Sequence, residues 1–270
     1  MTGAFLSCLV VTSARRAIRG RPINVSISEL SSLLKRSFEG LGFNQGDYED
    51  TASAALWLEC HGLGGLGTVR RAWPRLQKHK QLSVALVTES PGSAVLDAGN
   101  ASALICGQIV ADLACSYAGP ASTGRVELRS CLDCDAILPA TVSCAGRGFN
   151  ALAQWNDQRF VCLAQIDAHA AYPLFERYPA TGTVPETPSA LIVAWRPGAL
   201  AAQDLAETGI AAPGNAACQA RVTPDEFRGR YDGAVMHGLS IDTSTLAILT
   251  AAADNVLVEA TERSRQGAGE

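Results

Sequence analysis

Charge is scarce in this sequence: Asp, Glu, Lys and Arg make up 18% of its 270 residues, and the formal net charge is -4 at pH 7. Without a basic excess no surface can neutralise a run of phosphates, which excludes nucleic acid as the main partner, and Arg70-Arg71 with the isolated Arg263 and Arg265 do not supply one. Long apolar runs are lacking too. The nearest approach, Ala4–Thr12, is too short to span a bilayer, and its arginines (Arg15, Arg16, Arg19 and Arg21) follow it rather than precede it. Neither a membrane partner nor a secretory leader is therefore expected. There are no internal repeats or low-complexity tracts, and no G-x-G-x-x-G between a strand and a helix. Gly62-Leu-Gly-Gly-Leu-Gly67 has the glycine density but follows a helical pattern, which excludes a Rossmann phosphate loop.

Cysteine is abundant by contrast. Nine thiols, at 8, 60, 106, 115, 131, 134, 144, 162 and 218, form an odd set in apolar contexts, which suits buried reduced thiols and a reducing cytoplasm better than a disulfide framework. Cys131-Leu-Asp-Cys134 has C-x-x-C spacing with Cys144 further on, yet a structural zinc needs four ligands and no second pair or nearby histidine is present; no metal is expected. Nor do the flanks show the strand-to-helix entry of a redox pair. With 47% apolar residues, the chain can bury a sizeable core as one interleaved unit or two small domains.

Helix patterns come early. Leu30, Leu33, Leu34 and Phe38 share one face, and Ser26 and Glu29 have the S-x-x-E spacing that satisfies free amide donors at a helix start. Gly40 and Gly42 end that helix. A second begins near Asp47, carries Thr51, Ala54, Ala55 and Leu58 on one face, and stops at His61-Gly62. A charged histidine at a helix C-terminus is favoured by the helix dipole, so His61 is either a cap or a site among glycines. Beyond it the pattern alternates: strands at 84–88 and 94–96, a helix at 102–118, a strand at 124–128, a helix at 139–149, and strands at 159–166 and 190–195. A turn-rich connection spans Pro179–Pro188; a helix at 200–208, a loop at 211–215, a strand at 218–222 and a Thr223-capped helix from Pro224 follow. The order predicts an α/β mixed sheet with flanking helices. Residues 1–22 read as a mobile extension, 23–85 as the helical part of a first domain, 86–222 as a central α/β domain, and 223–270 as a helical segment returning to the first domain.

Three segments resemble the type-2 malate/L-lactate dehydrogenase family: Glu59-Cys60-His61-Gly62, like its Ser-His-Gly motif with a proton-transferring histidine; Ala94-Val-Leu-Asp-Ala-Gly-Asn100; and Gly233-Ala-Val-Met-His-Gly-Leu-Ser-Ile-Asp242. The resemblance covers residues 25–150 and 230–258. It implies that family's fold in a shortened form, and His61 as general acid/base. The chain departs from the pattern where the family has a carboxylate-gripping arginine, here Gly65, and where a second histidine belongs, in Arg129–Asp135. Family members are longer, and the missing part falls in the middle, where they hold the nicotinamide. The chain resembles more closely a short uncharacterised bacterial family allied to those dehydrogenases, with an end like Thr261-Glu-Arg-Ser-Arg-Gln-Gly-Ala-Gly269.

Other candidates are fewer. Asp97 sits in a turn where it can orient a catalytic group or cap its own backbone. Asp167-Ala-His169 ends an apolar strand. His79 lies in an exposed Lys-His-Lys, and His237 precedes a glycine. Cys60 lies beside His61 but about 100° around the helix, so the two do not pair. The leading expectation is an enzyme acting on a small 2-oxo, 2-hydroxy or cyclic imino acid, with catalytic His61 and Asp97 and an arginine (Arg70, Arg263 or Arg265) holding the substrate anion. Loss of the second histidine and a shortened middle favour a non-redox isomerase, lyase or hydratase reaction with no cofactor, in a cytoplasmic homodimer. An NADH- or NADPH-dependent oxidoreductase and a non-catalytic accessory subunit are the alternatives.

Overall fold

The computed structural model describes residues 22–81, 83–119, 123–156, 159–180, 187–198, 210 and 217–256. The N-terminal extension up to residue 21, the expected helix at 200–208, the loop at 211–215, and Arg263 and Arg265 lie outside the described residues.

Ser26 opens the first helix as its spacing requires. Its hydroxyl accepts the Glu29 N–H at 3.2 Å, while the Glu29 carboxylate accepts the Ser26 N–H at 2.8 Å. Helix α1 (Ile27–Gly40) buries Leu30, Leu34 and Phe38, and α2 (Gln45–Cys60) buries Thr51, Ala55 and Leu58. Because Asn44 takes the N-cap position, α2 begins two residues before the expected Asp47. The glycine-dense stretch after it is not a loop throughout but starts a third helix, α3 (Gly65–Leu76), whose Leu66, Val69, Ala72 and Leu76 recur at helical spacing on one buried face, a pattern missing from the expected elements. Its approach to α2 demands glycine: a Cβ on Gly65 would lie 1.9 Å from the Ala55 carbonyl oxygen.

Eight of the described strands form one sheet. Along the chain they are β2 (Ala85–Ser90), β3 (Ser93–Asp97), β4 (Thr123–Arg129), β5 (Asn150–Asn156), β6 (Phe160–Ile166), β7 (Leu174–Pro179), β8 (Ser189–Trp195) and β9 (Ala220–Val222), in the spatial order β2-β3-β4-β8-β5-β6-β7-β9. Only β3 and β4 run parallel, joined by α4 (Ala103–Tyr117); the other pairs are antiparallel. Helices α4 and α5 (Ile137–Gly146) pack against the sheet, and α2 packs on both. The inward residues Val126, Leu128, Ala151, Ala153, Trp155 and Ile192 are buried there, while Leu191, Val193 and Trp195 form a smaller cluster.

Several expected boundaries need correction. The helix placed at 139–149 starts at Ile137 and ends at Gly146. Pro139 sits in its first turn, where a missing N–H costs nothing, and the chain re-enters the sheet as β5. Strands β5 and β7 are new: β5 alternates Ala151, Ala153 and Trp155 inward, and alanine carries little strand signal. The strand expected at 218–222 is confined to Ala220–Val222.

The C-terminal elements return to the first helices. Strand β10 (Leu239–Ile241) pairs antiparallel with β1 (Ile23–Val25), and α7 (Thr243–Ala253) packs on α1, where the buried Ser37 hydroxyl lies 2.8 Å from the Leu249 carbonyl oxygen. Helix α6 (Pro224–His237) starts with a second capping box, Thr223 with Glu226. Of the eight described cysteines all are free and seven are buried; Cys218 is exposed, contrary to expectation. Cys131 and Cys134 do lie between a strand, β4, and a helix, α5, again contrary to expectation. Cys131 is nevertheless no nucleophile, since hydrogen bonds with Cys106 and Cys134, together with full burial, push its thiol well up. Among the described residues no cluster of three or more His, Cys, Asp or Glu could hold a metal, and no helix is long and apolar enough to cross a membrane.

Candidate functional site

Helix α2 delivers His61 at its C-cap, and there the residue is buried, at 2% exposure. Its Nδ1 lies 2.6 Å from the carbonyl oxygen of Trp57, one turn earlier. A carbonyl can only accept, so Nδ1 carries the proton, and in the neutral ring Nε2 is a free lone pair. Nε2 is buried and, among the described residues, has no hydrogen-bond partner. The ring is enclosed by aromatics: Trp57 at 4.0 Å between centroids, Tyr172 and Phe227 edge-on at 5.6 Å, and Tyr231 stacked at 5.8 Å. Burial in this apolar cage pulls the imidazole pKa below its ordinary value, the Trp57 carbonyl opposes that, and the nearby Arg230 charge adds to it. A dipole-stabilised charged cap would need the opposite environment. His61 is instead held as a neutral imidazole, with one nitrogen fixed and the other without a partner among the described residues.

Helix α6 closes this arrangement. Phe227 and Tyr231 lie one turn apart on it, and between them Arg230 Nη1 donates to the His61 carbonyl oxygen at 2.9 Å, tying α6 to the end of α2. Tyr172, in the turn after β6, also lines an open cleft of about 550 Å³. The cleft is bounded by Gln165 and Asp167 at the end of β6 and by Arg221, Thr223 and Arg228 where β9 passes into α6. Pockets of a few hundred cubic ångströms with a few polar groups are where small ligands bind.

The other candidates are distributed elsewhere. Asp97 ends β3, where its carboxylate accepts the Gly99 N–H at 2.8 Å; among the described residues nothing links it to His61. Arg70 is exposed on α3 and lies 3.8 Å from Asp242, the N-cap of α7. His169, with φ +64°, donates its backbone N–H to Ala145 and sets its ring against Gly148. His79 is half-buried rather than solvent-exposed, stacked on Phe43 at 3.8 Å. His237 is exposed at the end of α6, where its carbonyl accepts from Asn24. Burial and the neighbouring Glu59 push the Cys60 thiol up to about 11, which removes it as a nucleophile.

Sequence reading missed the companions of His61. Trp57, four residues earlier on the same helix, and the i, i+4 pair Phe227/Tyr231 had a local signal in their spacing. Tyr172 had none, because it reaches the site only through the fold.

A nicotinamide dinucleotide would ordinarily rest its pyrophosphate on a helix start. Here Glu59 accepts the Leu66 N–H at 2.8 Å at the start of α3, and Glu226 occupies the start of α6 with Thr223. The starts of α3 and α6 thus already hold a carboxylate of the chain itself. They do not fit a phosphate.

Residues 25–102, which include His61, match a family model described as "Protein of unknown function (DUF3726)". No curated protein matches the sequence. Among solved structures, the fold is similar to malate dehydrogenase from Entamoeba histolytica, at 11% identity over 88% of this chain and 100% of that one, TM-score 0.64. It is also similar to a dehydrogenase from Sinorhizobium meliloti, at 12% identity over 86% of this chain and 100% of that one, TM-score 0.65. A third similar structure is delta1-piperideine-2-carboxylate reductase from Pseudomonas syringae pvar. tomato, at 13% identity over 85% of this chain and 99% of that one, TM-score 0.55. The chain therefore has the malate/lactate-dehydrogenase type of fold.

Proposed function

We propose that the protein is an enzyme that moves a proton on a small 2-oxo, 2-hydroxy or cyclic imino acid, with His61 as general acid/base. One observation carries this reading: a buried neutral imidazole, locked through Nδ1 and with an Nε2 that has no partner among the described residues, whose aromatic neighbour Tyr172 also lines a ligand-sized cleft. Burying a polar atom without a partner costs stability, and such costs are retained where the atom has work to do. The self-capped helix starts favour a non-redox step (isomerisation, hydration or elimination) in which His61 takes a proton from the substrate and returns it. Asp97 enters this reading only as an orienting group that touches His61 nowhere among the described residues, and Arg70 only if its Asp242 partner is exchanged for substrate.

A second reading, an NADH- or NADPH-dependent oxidoreductase, is favoured by the end-to-end structural match with dehydrogenases. The proposal also takes the protein to be a cytoplasmic homodimer. The exposed Val235 and Met236, just past Tyr231 on α6, support self-association. Incubating the protein with a panel of 2-oxo, 2-hydroxy and imino acids in D2O, followed by proton NMR, tests the enzyme reading. The expected result is exchange or conversion of a proton next to a carboxylate without added cofactor. Saturable micromolar binding of NADH or NADPH by calorimetry, with turnover only in its presence, would replace the non-redox reading by the second. No turnover under either condition would leave the accessory-subunit reading.

A further inference from the structure

The family pattern expects an arginine four residues after the histidine, and the structure shows why none can stand there: the Gly65 side chain would enter the backbone of α2. The anion must be held from another direction. Of the cleft's two arginines, Arg221 is engaged by Glu176 at 3.6 Å, whose side chain is 22% exposed. Among the described residues Arg228 has one ion pair, with Asp225 at 3.8 Å, and that aspartate is 91% exposed. An ion pair so open to solvent is readily exchanged for a ligand carboxylate. The same cleft holds Asp167, whose carboxylate has no hydrogen bond or ion pair among the described residues. Arg228 and Asp167 come from different elements and do not pair with each other, so each presents its charge to whatever fills the cleft.

We propose that Arg228 holds the substrate's single carboxylate, and that Asp167 makes the cleft select acids with a hydrogen-bond donor, a hydroxyl, ammonium or iminium group, and refuse dicarboxylates. This rests on the reading of His61 as the acting base, since Tyr172 joins the cleft to its cage. Selection of this kind works as much by repulsion as by attraction. A second carboxylate placed near Asp167 meets a like charge in a half-open site, which costs about tenfold in affinity at a separation of a few ångströms. A donor there gains a charge-assisted hydrogen bond instead.

The test is ligand-observed NMR titration of L-lactate, L-proline, L-malate and oxaloacetate against the wild-type chain, His61→Phe, Asp167→Asn and Arg228→Met. Both cleft positions are exposed, so these two variants keep the fold. Lactate or proline should bind wild type at least about tenfold more tightly than malate or oxaloacetate. Asp167→Asn should close most of that gap, and Arg228→Met should weaken every probe by about tenfold or more. Equal affinity for lactate and malate, unchanged affinities in Arg228→Met, or no binding by any probe would overturn the proposal. His61→Phe separates the two claims: if it binds the probes as wild type does, the cleft assignment stands whether or not His61 performs the chemistry.

Discussion

Replacing Gly65 by alanine adds one methyl group, and the structure fixes where it goes. The new Cβ would lie 1.9 Å from the Ala55 carbonyl oxygen and 2.8 Å from the Glu59 amide nitrogen, both backbone atoms of α2. Neither can swing aside as a flexible side chain could, so α3 must move off α2 by more than an ångström. Overpacking of this kind costs roughly 1–3 kcal/mol and sometimes more. At about 2–4 °C per kcal/mol for a chain of this size, a loss of about 3 kcal/mol lowers Tm by roughly 6–12 °C. Gly67 is the internal control: it is exposed inside the same helix, and its nearest neighbour is the tip of Arg71 at 3.7 Å. Gly67→Ala should therefore raise stability by about 0.5–1 kcal/mol through helix propensity alone. Urea denaturation of both variants with a common m-value gives the comparison. If Gly65→Ala matched Gly67→Ala, the close packing of α2 and α3 would be wrong, and the absence of an arginine at 65 would need a functional explanation rather than a steric one.

Burial lowers the His61 pKa from its usual 6.5, so the folded state binds fewer protons than the unfolded state on the acid side. Stability from this group is then present above pH 6.5 and is lost as pH falls through 6.5 toward the folded value. Chemical denaturation between pH 5 and 7.5 should show a slope of at most about 1.4 kcal/mol per pH unit from this residue, absent in His61→Phe; equal slopes would contradict the burial argument. Glu59→Ala should cost about 1 kcal/mol by freeing the Leu66 amide at the start of α3, read by the same denaturation. Thr223→Ala should cost a similar amount at the start of α6.

The elements with a strong local rule were legible. Ser26/Glu29 and the Thr223 cap announced two helix starts, and the apolar run at 190–195 announced the central strand β8, because short-range hydrogen bonding and apolar patterning decide those features. The segments with weak rules were not. Strand β5 is built on alanines; α3 did carry an apolar face in Leu66, Val69, Ala72 and Leu76, but its glycine start, which packing against α2 imposes at Gly65, masked it. His61 stood out through its glycine neighbours and its place in a motif. Its burial in an aromatic cage did not, since that depends on Tyr172 and Phe227, more than a hundred residues away in sequence. The arginine followed the same logic: a motif offset pointed to position 65, whereas the fold supplies cations through Arg228 and Arg230 on α6.

The most direct test of the account is the His61→Phe variant. Because His61 is buried among four aromatic rings, His61→Asn would leave a cavity and lose packing worth about 1–3 kcal/mol, confusing stability with chemistry. Phenylalanine fills the same space, removes the unpartnered Nε2, and leaves the Trp57 carbonyl still accepting the backbone N–H of residue 61 at 3.2 Å. The variant should melt at or above the wild-type temperature near pH 6. Its turnover of whichever acid the panel identifies should fall by about a hundredfold or more, the usual cost of deleting a general base. Wild-type turnover in a folded His61→Phe protein would contradict the central claim, leaving His61 as a packing residue at the end of α2.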